Sequence, residues 1–132
     1  MKGKIPSKYK NKGFIQINVS KIEEILCLAN YDRNAPRIFA YMLKRMDSDN
    51  RFYCSYEELI SRFDLSERTL SRAIKVLREK NMLLIQRQES TMTRVYIINP
   101  DYLWQARANK VKIATIELFQ ANANAMSAKN KP

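Results

Sequence analysis

The stretch that decides the fold is residues 55–80, which read SYEELISRFDLSERTLSRAIKVLREK. Ser55 followed three residues later by Glu58 is a capping box, which predicts the start of a short helix. Ser66 predicts the cap of a second helix. Between the two, Asp64 can take the left-handed conformation that usually favours glycine. The sequence therefore predicts two short helices joined by a tight turn.

The second of these helices has an apolar side and a polar side. Its apolar residues recur at i, i+3, i+4 and i+7, which predicts a buried face made of Leu70, Ala73, Ile74 and Leu77. The other positions carry hydroxyl groups and cations, namely Arg68, Thr69, Ser71, Arg72 and Lys75. A helical hairpin with a basic outer side is one interpretation. A helix-turn-helix that reads a DNA major groove is the other.

The residues that follow favour the second interpretation. Asn81 can end the helix as a glycine would. Residues 82–88 and 94–99 are apolar or β-branched enough for two strands, with a polar stretch between them. A hairpin directly after a recognition helix is the wing of a winged helix. Residues 51–54 predict an extended segment that pairs with these strands.

The rest of the chain supplies helices around this centre. Residues 14–19 alternate as a short strand, and Ser20 with Glu23 predicts a second capping box that opens a helix. Pro36 suits the first turn of the next helix, whose apolar side runs to Met46. We expect an α+β, mostly helical chain, with a winged helix-turn-helix domain and a C-terminal helical extension.

Charge is the strongest signal in the composition. The 132 residues contain 24 Lys and Arg against 13 Asp and Glu, for a net charge of +11. A basic domain attracts polyanions, of which nucleic acid is the commonest, although RNA binders and anionic-membrane binders are also basic. No apolar run approaches the ~20 residues of a membrane span, and no signal peptide precedes the basic start, so we expect a cytoplasmic protein.

Catalytic and metal chemistry have little support in this composition. The chain has no histidine, which removes the commonest general base and a frequent metal ligand. It has two glycines, too few for a glycine-rich phosphate loop. Cys27 and Cys54 lack a CxxC spacing and are expected to be buried free thiols. We expect a protein that is not an enzyme and that has no cofactor and no metal.

Four segments are expected along the chain. Residues 1–13 carry five lysines and form a flexible basic arm, which either contacts DNA or is a solvated tail. Residues 14–104 form the winged-helix domain, residues 105–126 the last helix and residues 127–132 a tail. The last helix has an apolar seam, consisting of Val111, Ala114, Leu118, Ala121 and Ala125, widened by Ile113, Ile116 and Phe119. It either packs on its own domain or forms a homodimer, and we favour the dimer slightly because paired domains bind paired half-sites.

Several segments together resemble the RepL-type plasmid replication and maintenance proteins. They are FIQI at residues 14–17, MDSDN at 46–50, LSERTLSRAI at 65–74 and YIINPDYLW at 96–104. The resemblance covers about residues 14–119. It implies a winged-helix protein that binds plasmid DNA and supports replication or its control, and it places the DNA-reading helix on residues 66–80. Host replication proteins are then expected as further partners.

The residues predicted to contact double-stranded DNA come from the helix pair and the hairpin. They are Ser55, Tyr56, Ser66, Arg68, Thr69, Ser71, Arg72, Lys75, Arg87, Thr91, Thr93 and Arg94. Within DNA binding, a transcriptional regulator or a partition-site binder would use the same residues as a replication factor. Outside it, a winged helix that binds protein or RNA is the remaining alternative.

Overall fold

The computed structural model describes residues 15–87, 93–104 and 113–129. The N-terminal part consists of strand β1 (Gln16–Ile17), a 3-10 turn (Val19–Lys21), helix α1 (Ile22–Leu26) and a second 3-10 turn (Cys27–Asn30). The central part consists of helix α2 (Ala35–Arg45), strand β2 (Arg51–Ser55), and helices α3 (Tyr56–Phe63) and α4 (Glu67–Glu79). Strands β3 (Leu83–Arg87), β4 (Thr93–Ile98) and β5 (Leu103–Trp104) and helix α5 (Ile113–Lys129) follow. The fold is α+β and mostly helical, as predicted.

A three-stranded antiparallel sheet in the order β2-β4-β3 forms the middle layer. Alternate residues of a strand point to opposite faces. Tyr96 and Ile98 of β4 therefore face the helices α2–α4, whereas Val95 and Ile97 face the other way, and all four are buried. The unbroken apolar run of β4 is explained by this double burial.

The main core lies between this sheet and helices α2, α3 and α4. Helix α2 contributes Ile38, Phe39 and Met42, and all three are almost completely buried. Pro36 lies in the first turn of α2, as predicted. The extended segment before α3 pairs with β4 from Arg51 to Ser55, which confirms the prediction for that segment.

Helix α5 packs on the opposite face of the sheet. Phe119 is 3% exposed and lies against Val95 and Ile97. Of the two alternatives for the last helix, packing on its own domain is therefore observed for this side. Leu118 and Ile116 remain 37% and 39% exposed. The side chains of Val111, Ile113 and Ala114 lie outside the described residues, and a dimer made by this helix stays a prediction.

One buried asparagine joins the sheet to the segment that follows the hairpin. Asn50 is in the left-handed conformation with φ 61° and is 0% exposed. Its Nδ2 donates to the carbonyl oxygens of Ile98, at 3.1 Å, and Leu103, at 2.8 Å. Strand β5, which contains Leu103, pairs with β1. Asn50 thereby anchors the small β1–β5 sheet to the end of β4.

Two sequence predictions near the N-terminus are wrong in detail. Ser20 does not cap a helix, because its hydroxyl donates to the side-chain oxygen of Asn18 at 2.9 Å. Asn18 is the cap instead and accepts the Ser20 N–H at 3.1 Å, opening a 3-10 turn ahead of α1. Of the two free cysteines, Cys54 is buried as predicted, but Cys27 is exposed because its turn lies on the surface.

The order of helices and strands from α2 to β4 is compatible with a winged helix. The predicted tip of the wing is residues 89–93, and residues 88–92 lie outside the described residues, so the wing itself stays a prediction. The predicted basic arm and residues 105–112 also lie outside them.

Candidate nucleic-acid interface

Helix α4 is fixed at both ends by its own sequence. The Ser66 Oγ accepts the N–H of Thr69 at 3.1 Å, as predicted for the N-cap. At the other end Asn81 takes φ 57°. The Asn81 N–H donates to the Arg78 carbonyl oxygen and the Met82 N–H to that of Leu77, both at 3.0 Å, which is a Schellman motif. The length and direction of α4 are thus defined locally.

The two sides of α4 differ as the sequence predicted. Leu70, Ala73, Ile74 and Leu77 are all buried in the main core. Arg68, Arg72 and Lys75 are exposed on the opposite side. No hydrogen bond or ion pair links any of these three cations to another residue of the part of the chain that the structure describes. This side of α4 is consequently open to an anionic partner.

The turn before α4 sets the angle at which that side is presented. Asp64 ends α3 with φ 51° and ψ 49°, the left-handed conformation predicted for it. Ser55 caps α3, and its Oγ accepts the Glu58 N–H at 3.2 Å. The Glu58 carboxylate is engaged by Cys54, whose thiol donates to it at 3.2 Å. Burial, with help from this carboxylate, raises the pKa of Cys54 to about 12, so the thiol stays protonated at neutral pH.

Tyr56 connects the two helices. Its hydroxyl lies 3.2 Å from the Glu67 carbonyl oxygen and forms a short hydrogen bond with the Ser71 Oγ. Both partners belong to α4, whereas Tyr56 is the first residue of α3. A hydroxyl held between two groups of the second helix restricts how far the pair can open. Of the predicted contact residues, Tyr56 and Ser71 therefore already contact each other.

The hairpin brings two arginines beside this junction. Arg87 of β3 lies directly opposite Arg94 of β4. The Arg94 guanidinium stacks on the Tyr56 ring, 4.3 Å from its centroid. Thr93 lies opposite Ser55 at the end of the sheet and has a further interaction of its own. Thr91 is outside the described residues.

The structure thus groups most of the predicted residues on neighbouring elements. Eleven of the twelve are described, and they come from the start of α3, the exposed side of α4 and the end of the hairpin. The structure does not link Arg68, Arg72 or Lys75 to the hairpin by any hydrogen bond among the described residues. Whether any of the twelve contacts DNA stays a prediction.

Sequence reasoning missed a second group of arginines, on α2 and α3. Arg37 lies over the Phe63 ring and Arg45 over the Tyr41 ring, while Arg62 lies over both, at 4.8–5.5 Å from the centroids. Such guanidinium–aromatic contacts stabilise the positive charge without a carboxylate partner. A sequence signal existed for Arg45, which lies four positions after Tyr41 in α2, whereas the contacts of Arg37 with Phe63 and of Arg62 with Tyr41 join two separate helices.

Within residues 15–87, 93–104 and 113–129, no group of three or more His, Cys, Asp or Glu side chains is placed to hold a metal ion. Among the helices that the structure describes, none is both long enough and apolar enough to cross a membrane.

The capped helix pair, with an exposed cationic side and an antiparallel hairpin after it, defines an α+β protein whose order of elements is compatible with a winged helix. The chain matches the family model described as Firmicute plasmid replication protein (RepL) over residues 4–131. It therefore belongs to this family of plasmid replication proteins, as the resemblance indicated. No curated protein and no solved structure matches the chain.

Proposed function

We propose that this chain binds double-stranded DNA sequence-specifically and acts as a plasmid replication initiation or maintenance factor at origin repeats. The observation that carries the proposal is the exposed side of α4. There Arg68, Arg72 and Lys75 lie on a rigidly capped helix, with no partner among the described residues. Membership of a plasmid replication family gives this cationic side a DNA context.

In the proposed complex, α4 lies in the major groove. Arg68 and Arg72 are one helical turn apart, so both can offer paired N–H donors to guanine edges in neighbouring base pairs. Thr69 and the Ser66 cap are at the N-terminal end of α4, where a base edge or a phosphate is within reach. Lys75, further along, neutralises the DNA backbone.

The hairpin and the start of α3 hold the neighbouring backbone. Arg87, Thr93 and Arg94 lie at the end of the hairpin nearest its tip. Ser55 and Tyr56 begin α3, where backbone N–H groups of the first turn favour an anion. Backbone contacts of this kind fix the position of the protein, and α4 then reads the sequence.

We further propose that two copies bind together through α5. Phe119 attaches α5 to its own sheet, while Leu118, Ala121 and Ala125 are exposed along a different side of the same helix. This side retains the apolar spacing that the sequence analysis identified as a seam. A second copy is the expected partner because paired half-sites in DNA require paired recognition helices.

The dimer is tested by placing a charge in the seam while leaving Phe119 in place. Leu118→Glu should dissociate a dimer, because the carboxylate has no partner in an apolar interface. Gln120→Glu adds the same charge elsewhere on α5 and is the matched control. Sedimentation of both variants and the unchanged chain gives the result. A monomeric unchanged chain, or a dimeric Leu118→Glu variant, would rule out this seam as the interface.

The DNA-binding proposal is tested by footprinting on the DNA that flanks the gene. Protection of repeated sequences, lost with Arg72→Ala but retained with Arg45→Ala, is the expected result. A plasmid that carries Arg72→Ala should then fail to maintain its copy number. An unprotected flanking region would contradict sequence-specific binding. Protection of the gene's own promoter, with copy number unchanged, would point to transcriptional regulation instead.

A further inference from the structure

Two arginines lie side by side on the sheet, and neither has a carboxylate partner among the described residues. Direct partners in adjacent antiparallel strands share a face, so Cys54, Arg94 and Arg87 form one row across the sheet. Cys54 belongs to the main core, so this row lies on the face that the helices cover. Like charges directly opposite each other are destabilising. An anion bound between the two guanidinium groups would relieve this repulsion.

The orientation of Arg94 is already set. Its guanidinium stacks on the Tyr56 ring at 4.3 Å from the centroid. Stacking uses the face of the planar group, so the N–H groups on its edge that do not meet the neighbouring Tyr96 hydroxyl can donate to an oxyanion. Little side-chain entropy is then lost when an oxyanion binds to that edge.

Tyr56 also controls the proton on Ser71. The Tyr56 hydroxyl has one proton and two oxygen neighbours, the Glu67 carbonyl and the Ser71 Oγ. When that proton goes to Glu67, Ser71 must donate to Tyr56. When Tyr56 donates to Ser71 instead, the Ser71 hydroxyl is free to donate outward, in the direction of an anion.

We infer that Arg94, Arg87 and Ser71 form a binding site for one backbone phosphate of duplex DNA, with Tyr56 as its positioning residue. This inference rests on the proposed function and specifies what these four residues do within it. A phosphate fits better than a base edge because Ser71 lies to one side of Arg68 and Arg72, the two residues proposed to read bases. On an ideal helix, Ser71 is rotated by about 60° from Arg68 and by about 100° from Arg72. The site joins α4 to the hairpin through a single anion.

The test measures how DNA affinity depends on salt. The probes are two duplexes of equal length, one with the footprinted repeat and one of unrelated sequence, titrated by fluorescence anisotropy between 50 and 200 mM salt. Losing one phosphate contact lowers the slope of log affinity against log salt by about 0.9, which is about 3.5-fold in affinity over this range. Because the two arginines share one phosphate, Arg94→Gln and Arg87→Gln should each reduce the slope by part of this amount and the double variant by all of it, equally on both duplexes. Arg94→Lys should retain the slope and bind more weakly.

Two further variants separate the site from net charge and from folding. Arg45→Gln removes an arginine that stacks on a tyrosine in the same manner, at 4.8 Å from the Tyr41 ring, and should leave the slope unchanged. Tyr56→Phe keeps the ring under Arg94 and should weaken binding with an unchanged slope. Thermal unfolding verifies that each variant is folded. Because Arg87 is exposed, Arg87→Gln should have the smallest effect on folding.

Each outcome decides one question. Slopes that are equal for Arg94→Gln, Arg87→Gln and the unchanged chain would overturn the phosphate site, while DNA binding itself would stand. An equal reduction with Arg45→Gln would also overturn it, because net charge alone would then be responsible. A loss confined to one duplex would mean that these arginines read bases. If the unchanged chain binds neither duplex, the proposed function fails and not merely this site.

Discussion

Helices α4 and α5 lie on opposite faces of the same sheet, and their exposed sides differ in chemical character. Helix α4 buries its apolar residues completely and exposes cations that have no partner among the described residues. Helix α5 is longer, with 17 residues against 13, and buries Phe119 while Ile116 and Leu118 stay partly exposed. The exposed side of α4 is therefore charged, and part of the exposed side of α5 is apolar.

This difference separates two kinds of partner. An exposed cationic side gains from a polyanion, through charge and counterion release. An exposed apolar side gains from another apolar surface, which removes it from water. We accordingly expect DNA to bind to the exposed side of α4, and a second copy of the chain to bind to the exposed side of α5. Changes on one helix should leave the behaviour of the other nearly unaltered.

The largest effect is expected from salt, which acts on the α4 side alone. If a dimer neutralises six to ten phosphates, its affinity for DNA should fall roughly 10³–10⁵-fold between 50 and 200 mM salt. The net charge of +11 per chain motivates this expectation. Sedimentation over the same range should show an unchanged assembly, because an apolar α5 contact is not screened. A flat salt titration would indicate a protein partner for α4.

The next effect concerns the attachment of α5. Phe119→Ala should lower the free energy of unfolding by about 3–5 kcal/mol, because a buried aromatic ring is removed from between α5 and the sheet. Leu118→Ala, on the exposed side of the same helix, is the matched control and should cost less than about 1 kcal/mol. Urea denaturation of both variants, at a protein concentration where the chain is monomeric, gives the comparison. Equal losses would mean that the two sides of α5 are not distinct.

Arg72→Ala on α4 should have the reverse effect of Phe119→Ala, a loss of DNA binding without a loss of stability. It should weaken specific DNA binding by about 1–3 kcal/mol and leave the free energy of unfolding unchanged, because the side chain is exposed. Anisotropy with the footprinted site and urea denaturation are measured on the same preparation. Arg45→Ala is the control for the loss of one positive charge. Normal binding by Arg72→Ala would mean that the reading side of α4 has been placed wrongly.

The contrast between α4 and α5 also shows what the sequence could predict. The caps, the left-handed turn and the buried side of α4 depend on residues each at most five positions from the next, and all were predicted. The attachment of α5 depends on Phe119 meeting Val95 and Ile97, more than twenty positions away. The signal for it was β4, whose apolar residues on both faces require a second covering layer.

Asn50 is the clearest case of a feature that the sequence could not reveal. Its segment, MDSDN at residues 46–50, was noted for the family resemblance, yet the Asn50 side chain donates to the carbonyl oxygens of Ile98 and Leu103, 48 and 53 residues away. Hydrogen bonds over such separations leave no periodic pattern. The candidate site could be predicted from the sequence only in part. Its residues on α4 were predicted by spacing, whereas the stacking of Arg94 on Tyr56 appears only when β4 and α3 come together.

The smallest effect concerns the left-handed residues at the two ends of α4, Asp64 before it and Asn81 after it. Asp64 is exposed, and Asp64→Gly should stabilise the chain by about 0.5 kcal/mol, since relief at Cβ exceeds the entropy that glycine loses. Asn81→Gly should instead cost about 1 kcal/mol. The Asn81 side chain donates to the Phe119 carbonyl oxygen at 3.3 Å and accepts from Asn122 at 2.5 Å, and these bonds to α5 are lost.

The controls for this pair use the same denaturation measurement. Asp64→Ala keeps a Cβ and should be less stable than Asp64→Gly by about 1 kcal/mol, which isolates the steric contribution. Combining Asn81→Gly with Phe119→Ala should give less than the sum of the two losses, because both weaken the same attachment. Additive losses would show that Asn81 acts only on the end of α4. A gain from Asn81→Gly equal to that from Asp64→Gly would show that its bonds to α5 contribute nothing to stability.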